Sequence, residues 1–217
     1  MKRLLLLLFL LTIIQSLSAQ QLKIGVFAEP QITWLKPDSR NIVSTGSAFG
    51  FDGGVLLTKY FQKNYAFQTG VSLGKVGGGM QFGNHITFTA YGEDTTLAPG
   101  TSVDYKLKYI SVPVGLKLKT NQIGYFSYFA RLGFLNQFNI DARATSSDNA
   151  LDDSNISEEI FFYNLSYYFG IGAEYNISED TALLIALNFN NGFIDITTDD
   201  NVKASTRSVS LRIGVIF

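Results

Sequence analysis

Seven ionisable residues fall where alternating segments place their small and polar side chains: Lys23, Glu29, Asp52, Lys117, Arg131, Glu174 and Arg212. Charges of both signs on one face of a sheet have two uses. They can pair to fill a polar interior, or they can rearrange as a gate along a narrow ion path. An unpaired ion in a low-dielectric space is costly, so pairing is expected in either case. The expected network joins Glu29, Asp52 and Glu174 to Lys117, Arg131 and Arg212. His85 is the only histidine. A histidine base for acyl chemistry needs a nucleophilic hydroxyl and an orienting acid close by. His85 falls in a loop with no evident serine partner at a membrane face. The absence of cysteine excludes a thiol nucleophile, a disulfide framework, a zinc–thiolate site and a lipidated cysteine. Asp148, Asp152, Asp153, Glu158 and Glu159 cluster in one segment, and Asp195, Asp199 and Asp200 in another. A calcium site needs about six to eight oxygens in set geometry. No EF-hand spacing appears, so these segments read as solvated loops. No metal or cofactor is expected.

Of the 217 residues, 46% are hydrophobic, 14% aromatic and 16% charged, with a formal net charge of −1. Soluble domains carry about 25% charged residues. Low charge with many aromatics excludes a disordered chain. Near-neutrality excludes a broad basic surface for nucleic acid.

The elements that must position the charges are read from a period of two. Leu22, Ile24, Val26, Ala28, Pro30, Ile32 and Trp34 share one parity, and Lys23, Gly25, Phe27 and Glu29 the other. Successive strand side chains point to opposite faces, so this pattern is a strand with one apolar face. It recurs around Phe49–Leu57, Phe67–Leu73, Ile110–Leu118, Phe126–Phe134, Phe161–Ala173, Leu183–Phe189 and Val209–Phe217, which predicts eight strands. Short links are expected at Gln62-Lys63-Asn64, Thr120-Asn121-Gln122 and Ile177-Ser178-Glu179-Asp180, built from turn-forming residues. Long links are expected near 36–48, 75–104, 143–159 and 192–205. Short turns at one end and long loops at the other describe an outer-membrane barrel with both termini on the periplasmic side.

The first residues read as an address. Met1-Lys2-Arg3 is basic, residues 4–14 are apolar apart from Thr12, and Gln15-Ser16-Leu17-Ser18-Ala19 supplies small residues. That order describes a signal peptide over 1–19, cleaved after Ala19, followed by a barrel domain over 20–217. The apolar run is too short to span a bilayer as a helix, which takes about 20 residues.

Which face meets lipid follows from the small parity. Glycine, serine and asparagine suit the tight interior of an eight-stranded barrel. Trp34, Phe49, Phe61, Tyr128, Tyr163, Tyr175 and Phe217 lie near strand ends on the apolar parity and fit interfacial girdles. The expected fold is therefore all-β: a closed, antiparallel, eight-stranded transmembrane barrel. The rival is a soluble, secreted, lipocalin-like barrel, oily inside. Pro30 and Pro113 remove ladder donors and are expected at bulges or strand ends. Gly74-Lys75-Val76-Gly77-Gly78-Gly79 reads as a flexible loop without the hydroxyl of a phosphate loop. The alternating segment from His85 to Tyr91 is expected either to form an exposed ribbon with residues 103–107 or to cap the barrel mouth.

One segment carries a resemblance. Tyr109-Ile110-Ser111-Val112-Pro113-Val114-Gly115-Leu116-Lys117 is similar to a middle strand of the PorT-like outer-membrane barrel family of Bacteroidetes-type bacteria. Gly133, the run Gly170-Ile171-Gly172-Ala173-Glu174-Tyr175 and the ending Leu211-Arg212-Ile213-Gly214-Val215-Ile216-Phe217 look alike as well. The resemblance covers the chain after the signal peptide. It implies an outer-membrane barrel and a link to protein secretion across that membrane. The terminal Phe217 resembles the aromatic signal read by barrel-insertion machinery, and also suits a girdle. The expected surroundings are outer-membrane lipid, that machinery, and envelope or secretion proteins, with no nucleic acid. The expected role is structural or interactive, without catalysis. The alternative is a small lipid-modifying enzyme using His85.

Overall fold

Each alternating segment has one oily face and one that cannot enter lipid, and its backbone amides need partners along both edges. A closed ring of strands satisfies both demands. The computed structural model describes residues 22–90, 93–178, 180–199 and 202–217. The expected signal peptide lies outside the described residues.

In chain order the strands are β1 (Leu22–Pro37), β2 (Ile42–Gln62), β3 (Tyr65–Phe82), β4 (Ile86–Ala90), β5 (Glu93–Leu97), β6 (Ser102–Lys119), β7 (Phe126–Ser146), β8 (Ser154–Asn155), β9 (Tyr163–Asn176), β10 (Ala182–Gly192) and β11 (Ala204–Ile216). Eight of them form an antiparallel ring in the order β1, β2, β3, β6, β7, β9, β10, β11. Pairing of β11 with β1 closes it. Hairpin β4–β5 stands apart from the ring, and β8 adds to the upper part of β7. Among the described residues, no helix is long and apolar enough to cross a membrane.

The strands are longer than their alternation suggested. β2 and β7 each have 21 residues, whereas crossing the hydrocarbon takes about 9–11. The upper half of the ring therefore rises beyond the lipid. The first long link shrinks to residues 38–41, and Gly74–Gly79 belongs to β3 rather than to a flexible loop. The expected ribbon of 85–91 with 103–107 does not form. Ile86–Ala90 pairs with Glu93–Leu97, while residues 103–107 stay in the ring beside β3.

In the membrane half the oily parity faces out. Ile24, Val55, Val71, Val114, Phe169 and Ile213 are all exposed, while Glu29, Gln68, Ser111, Lys117, Arg131 and Arg212 are buried. This excludes the lipocalin-like rival, whose oily face would be inside. Above the membrane the ring reverses. There Leu35, Val103, Tyr105, Leu107, Ala142 and Ala144 point inward and form an apolar core with Phe82 and Phe88. On β6 the inward set stays on odd numbers throughout and simply changes from oily (Val103 to Tyr109) to polar (Ser111 to Lys119). On β7 the register against β6 shifts by one: Lys108 faces Asp141 and Tyr109 faces Asn139, leaving Ile140 as a bulge. Below the bulge the odd residues of β7 point inward, and above it the even ones.

Both prolines sit in mid-strand, contrary to expectation. Pro30 pairs with Phe51 on one side, and Pro113 with Leu135. On the other side the ladder is interrupted and resumes in the same register: Ala28–Ile213 is followed by Gln31–Ser210, and Thr69–Val114 by Ser72–Ser111. A short gap absorbs the missing donor, so no bulge is needed.

Candidate functional site in the barrel lumen

The lumen is built by the inward parity of the membrane half, where glycine leaves room for long polar side chains. Gly115 and Gly133 face each other across β6 and β7. A Cβ on Gly115 would lie 2.3 Å from the Tyr168 hydroxyl. The pair of glycines is thus what admits the Tyr168 ring, whose centroid lies 5.0 Å from the Arg131 guanidinium.

A continuous hydrogen-bond chain crosses the lumen. Arg131 on β7 donates from Nε to Asn188 Oδ1 on β10 at 2.9 Å and from Nη1 to Gln68 Oε1 on β3 at 3.4 Å. Gln68 Nε2 donates to Thr58 Oγ1 on β2 at 3.1 Å. Asn188 Nδ2 donates to Glu29 Oε1 on β1 at 2.8 Å. Glu29 also accepts from Ser210 and forms an ion pair with Arg212 on β11. The Arg212 guanidinium lies 3.8 Å from the Phe27 ring centroid.

Nearer the short-turn end lies a second group. Glu174 pairs with both Lys117 and Lys119, and Lys117 Nζ stands 4.6 Å from the Phe129 ring centroid.

The structure therefore divides the single expected network. Glu29 and Arg212 are joined directly, and Arg131 reaches Glu29 only through Asn188. Lys117 and Glu174 are joined to each other and to Lys119. Asp52 is directly opposite Glu29 in the β1–β2 ladder and is held by Ser72 Oγ at 3.1 Å, with no direct cation partner among the described residues. Lys23 lies at the rim, where Nζ is 3.5 Å from the Asp180 carbonyl oxygen. The neutral members Asn188, Ser210 and Gln68 were not singled out from sequence, because an amide or hydroxyl on a small parity carries no distinguishing signal. Lys119 was legible, since it shares the parity of Lys117.

A cavity of about 40 Å³ lies above the chain, bordered by Asp52, Arg131, Tyr168, Arg207 and Arg212. Asp52 Oδ1, Tyr168 Oη and Arg212 Nη1 are buried without a protein partner. At roughly 10–15 Å³ per water centre, the space suits a few bridging waters. Roofing this cavity is the apolar core of the upper ring, where Tyr109 marks the change of character.

Outside the lumen, His85 is exposed and borders a groove with Ser39, Arg40 and Asp199. The acidic third loop is tied down rather than free. Asp153 accepts from Lys106 Nζ at 3.0 Å and Arg143 Nη1 at 2.8 Å, and Glu159 Oε1 accepts the Thr89 N–H at 2.9 Å. Among the described residues, no group of three or more His, Asp or Glu is placed to hold a metal. Phe217 is exposed on the lipid side, and its backbone exchanges two hydrogen bonds with Ile24, at 2.7 and 3.1 Å, across the closing seam.

A family model for an outer membrane protein beta-barrel domain matches residues 16–198. The chain belongs to that family. No curated protein matches it. Among solved structures, Neisserial surface protein A is 16% identical, with 89% of this chain and 95% of that one aligned at a TM-score of 0.51. OprG from Pseudomonas aeruginosa is 12% identical over 90% of this chain and 94% of its own, at 0.47. Ail, the attachment invasion locus protein of Yersinia pestis, is 15% identical over 90% and 98%, at 0.39. The likeness to the Neisserial protein is one of fold. Family and fold together assign this barrel to the outer membrane.

Proposed function

We propose that this barrel has a non-enzymatic, structural or interaction role in the cell envelope. The supporting observation is a lumen obstructed by two different materials. The Thr58–Gln68–Arg131–Asn188–Glu29–Arg212 chain crosses the membrane half, and an apolar core occupies the upper ring. A solute would have to part a buried ion pair and then displace oily side chains. Work is thus left to the outer wall and the loops. The same proposal holds that residues 1–19 are a cleaved signal peptide, that both termini are periplasmic, and that Phe217 is read by insertion machinery. It extends the PorT-like resemblance to a role beside a protein-secretion assembly.

Two measurements test it. Planar-bilayer recordings are expected to show no conductance above the protein-free bilayer, and stepwise currents would overturn the closed lumen. Purification from native outer membranes in mild detergent is expected to recover a stoichiometric envelope protein. Recovery of the barrel alone would remove the assembly role. A second reading rests on the groove that Ser39, His85 and Asp199 share, since these side-chain types can form a hydrolytic triad. Altered lipid A in cells carrying His85→Ala would favour it, and unchanged lipid A would dismiss it.

A further inference from the structure

One stretch of outer wall carries cations that the fold itself does not neutralise. Lys75 on β3 is directly opposite Lys108 on β6, and Lys106 on β6 is directly opposite Arg143 on β7. Like charges in directly opposed positions destabilise a sheet. Two carboxylates offset part of this. Asp141 pairs with Lys108 at 2.6 Å and Arg143 at 3.4 Å, and Asp153 with Lys106 at 3.0 Å and Arg143 at 2.8 Å. Lys75 has no carboxylate within ion-pair distance among the described residues.

These side chains border a groove of about 470 Å³ whose other wall includes Phe49. The β2–β3 register shifts between Ser47 and Phe51, and Phe49 is left 78% exposed. The height of the groove is set by its neighbours. On β3 the outward residue before Lys75 is lipid-facing Leu73, and on β6 the outward residue beyond Lys108 is lipid-facing Ile110. Two residues of strand span about 7 Å. The cations therefore begin one rung above the oily band, at headgroup depth.

The geometry points to a binding site for a phosphate-bearing lipid of the outer leaflet, its phosphate between Lys75 and Lys108 and its acyl chain running down over Phe51, which is directly opposite Lys75, and Leu73. A lipid fits better than a soluble anion because the next outward residues below the two lysines, Leu73 and Ile110, are exposed and oily. Basic residues at a membrane surface attract anionic headgroups.

The test uses the full barrel refolded into phosphatidylcholine vesicles containing a minor fraction of phosphatidic acid, followed by native mass spectrometry of retained lipid. A heat-dependent gel shift confirms that each variant is folded. The wild type is expected to retain phosphatidic acid over phosphatidylcholine by about fivefold or more, the effect of one basic residue at a membrane surface. Lys75→Gln and Lys75→Glu are expected to lose that preference. Lys63→Ala, in the turn at the opposite end, is expected to keep it. Absence of a preference in the wild type, or its persistence in Lys75→Glu, overturns the site. Displacement of the lipid by millimolar inorganic phosphate overturns the lipid as its occupant.

Discussion

Glu29 accepts hydrogen bonds from Asn188, Ser210 and Arg212 and is buried among them. A buried ion pair owes its stability to the joint solvation of both members, so removing one strands the other. Glu29→Ala is expected to lower the unfolding free energy by about 3–5 kcal/mol. The loss in Glu29→Ala/Arg212→Ala is expected to be smaller than the sum of the single losses, because the second change removes the stranded charge. Equilibrium urea unfolding in lipid vesicles measures both. The two residues were legible in the sequence because a charge on a glycine- and serine-rich parity stands out. Their direct contact was not, since parity gives a face and no height along the barrel. Asp52 shows the limit: it shares the parity and yet faces another carboxylate across the ladder.

At the scale of elements, the bulge at Ile140 decides which residues of β7 enter the upper core. Were Ile140 to pair with Lys108 instead, every residue above it would slip by one, turning Asp141 and Arg143 inward where Ala142 and Ala144 now pack. Charges in that apolar space are strongly unfavourable. Deleting Ile140 alone keeps Lys108 opposite Asp141 and both alanines inward, so it is expected to leave the folded fraction in a heat-dependent gel-shift assay nearly unchanged. Deleting Ile140 and Asp141 together turns Arg143 inward and is expected to reduce it. The third loop answers to pH instead. Hydrogen bonds from Lys106 and Arg143 hold the Asp153 carboxyl below the usual carboxylate range, and Ser146 does the same for Asp148. A folded-state value below the unfolded one gives stability that is complete above the unfolded value, about pH 4. It is lost as pH falls through the folded value. Hydrogen-exchange protection in residues 147–156, taken relative to the intrinsic exchange rate at each pH, is therefore expected to fall below about pH 4 and to stay flat between about pH 6 and 8. The reversal left a trace in the sequence: the oily residues of β6 change from odd to even numbers between Tyr109 and Ile110. A strand that continues straight while its oily parity changes must pass from an oily-inside to an oily-outside environment. The partner of β4 left no such trace, because any short alternating segment nearby could have served.

The whole molecule depends on its seam. Phe217 joins the chain ends through two backbone hydrogen bonds with Ile24, and an open edge in lipid leaves unpaired amides. Deleting Phe217 is expected to lower the folded yield in purified lipid vesicles, where no insertion machinery is present. Phe217→Ala keeps the backbone bonds and is expected to fold there nearly as well as wild type. A large defect in Phe217→Ala under those conditions would instead assign the role to the side chain. The sequence by itself determined the eight ring strands, their alternating faces and the membrane class. Those properties follow from a period of two and from which side-chain sizes a narrow lumen accepts. Only the tertiary structure decided that Ile140 is a bulge, that Arg131 reaches Glu29 through Asn188, and that Lys75 meets Lys108. Each of these depends on the register between strands distant in sequence. A shift of one residue would leave the composition of every strand unchanged while giving each charge a different neighbour.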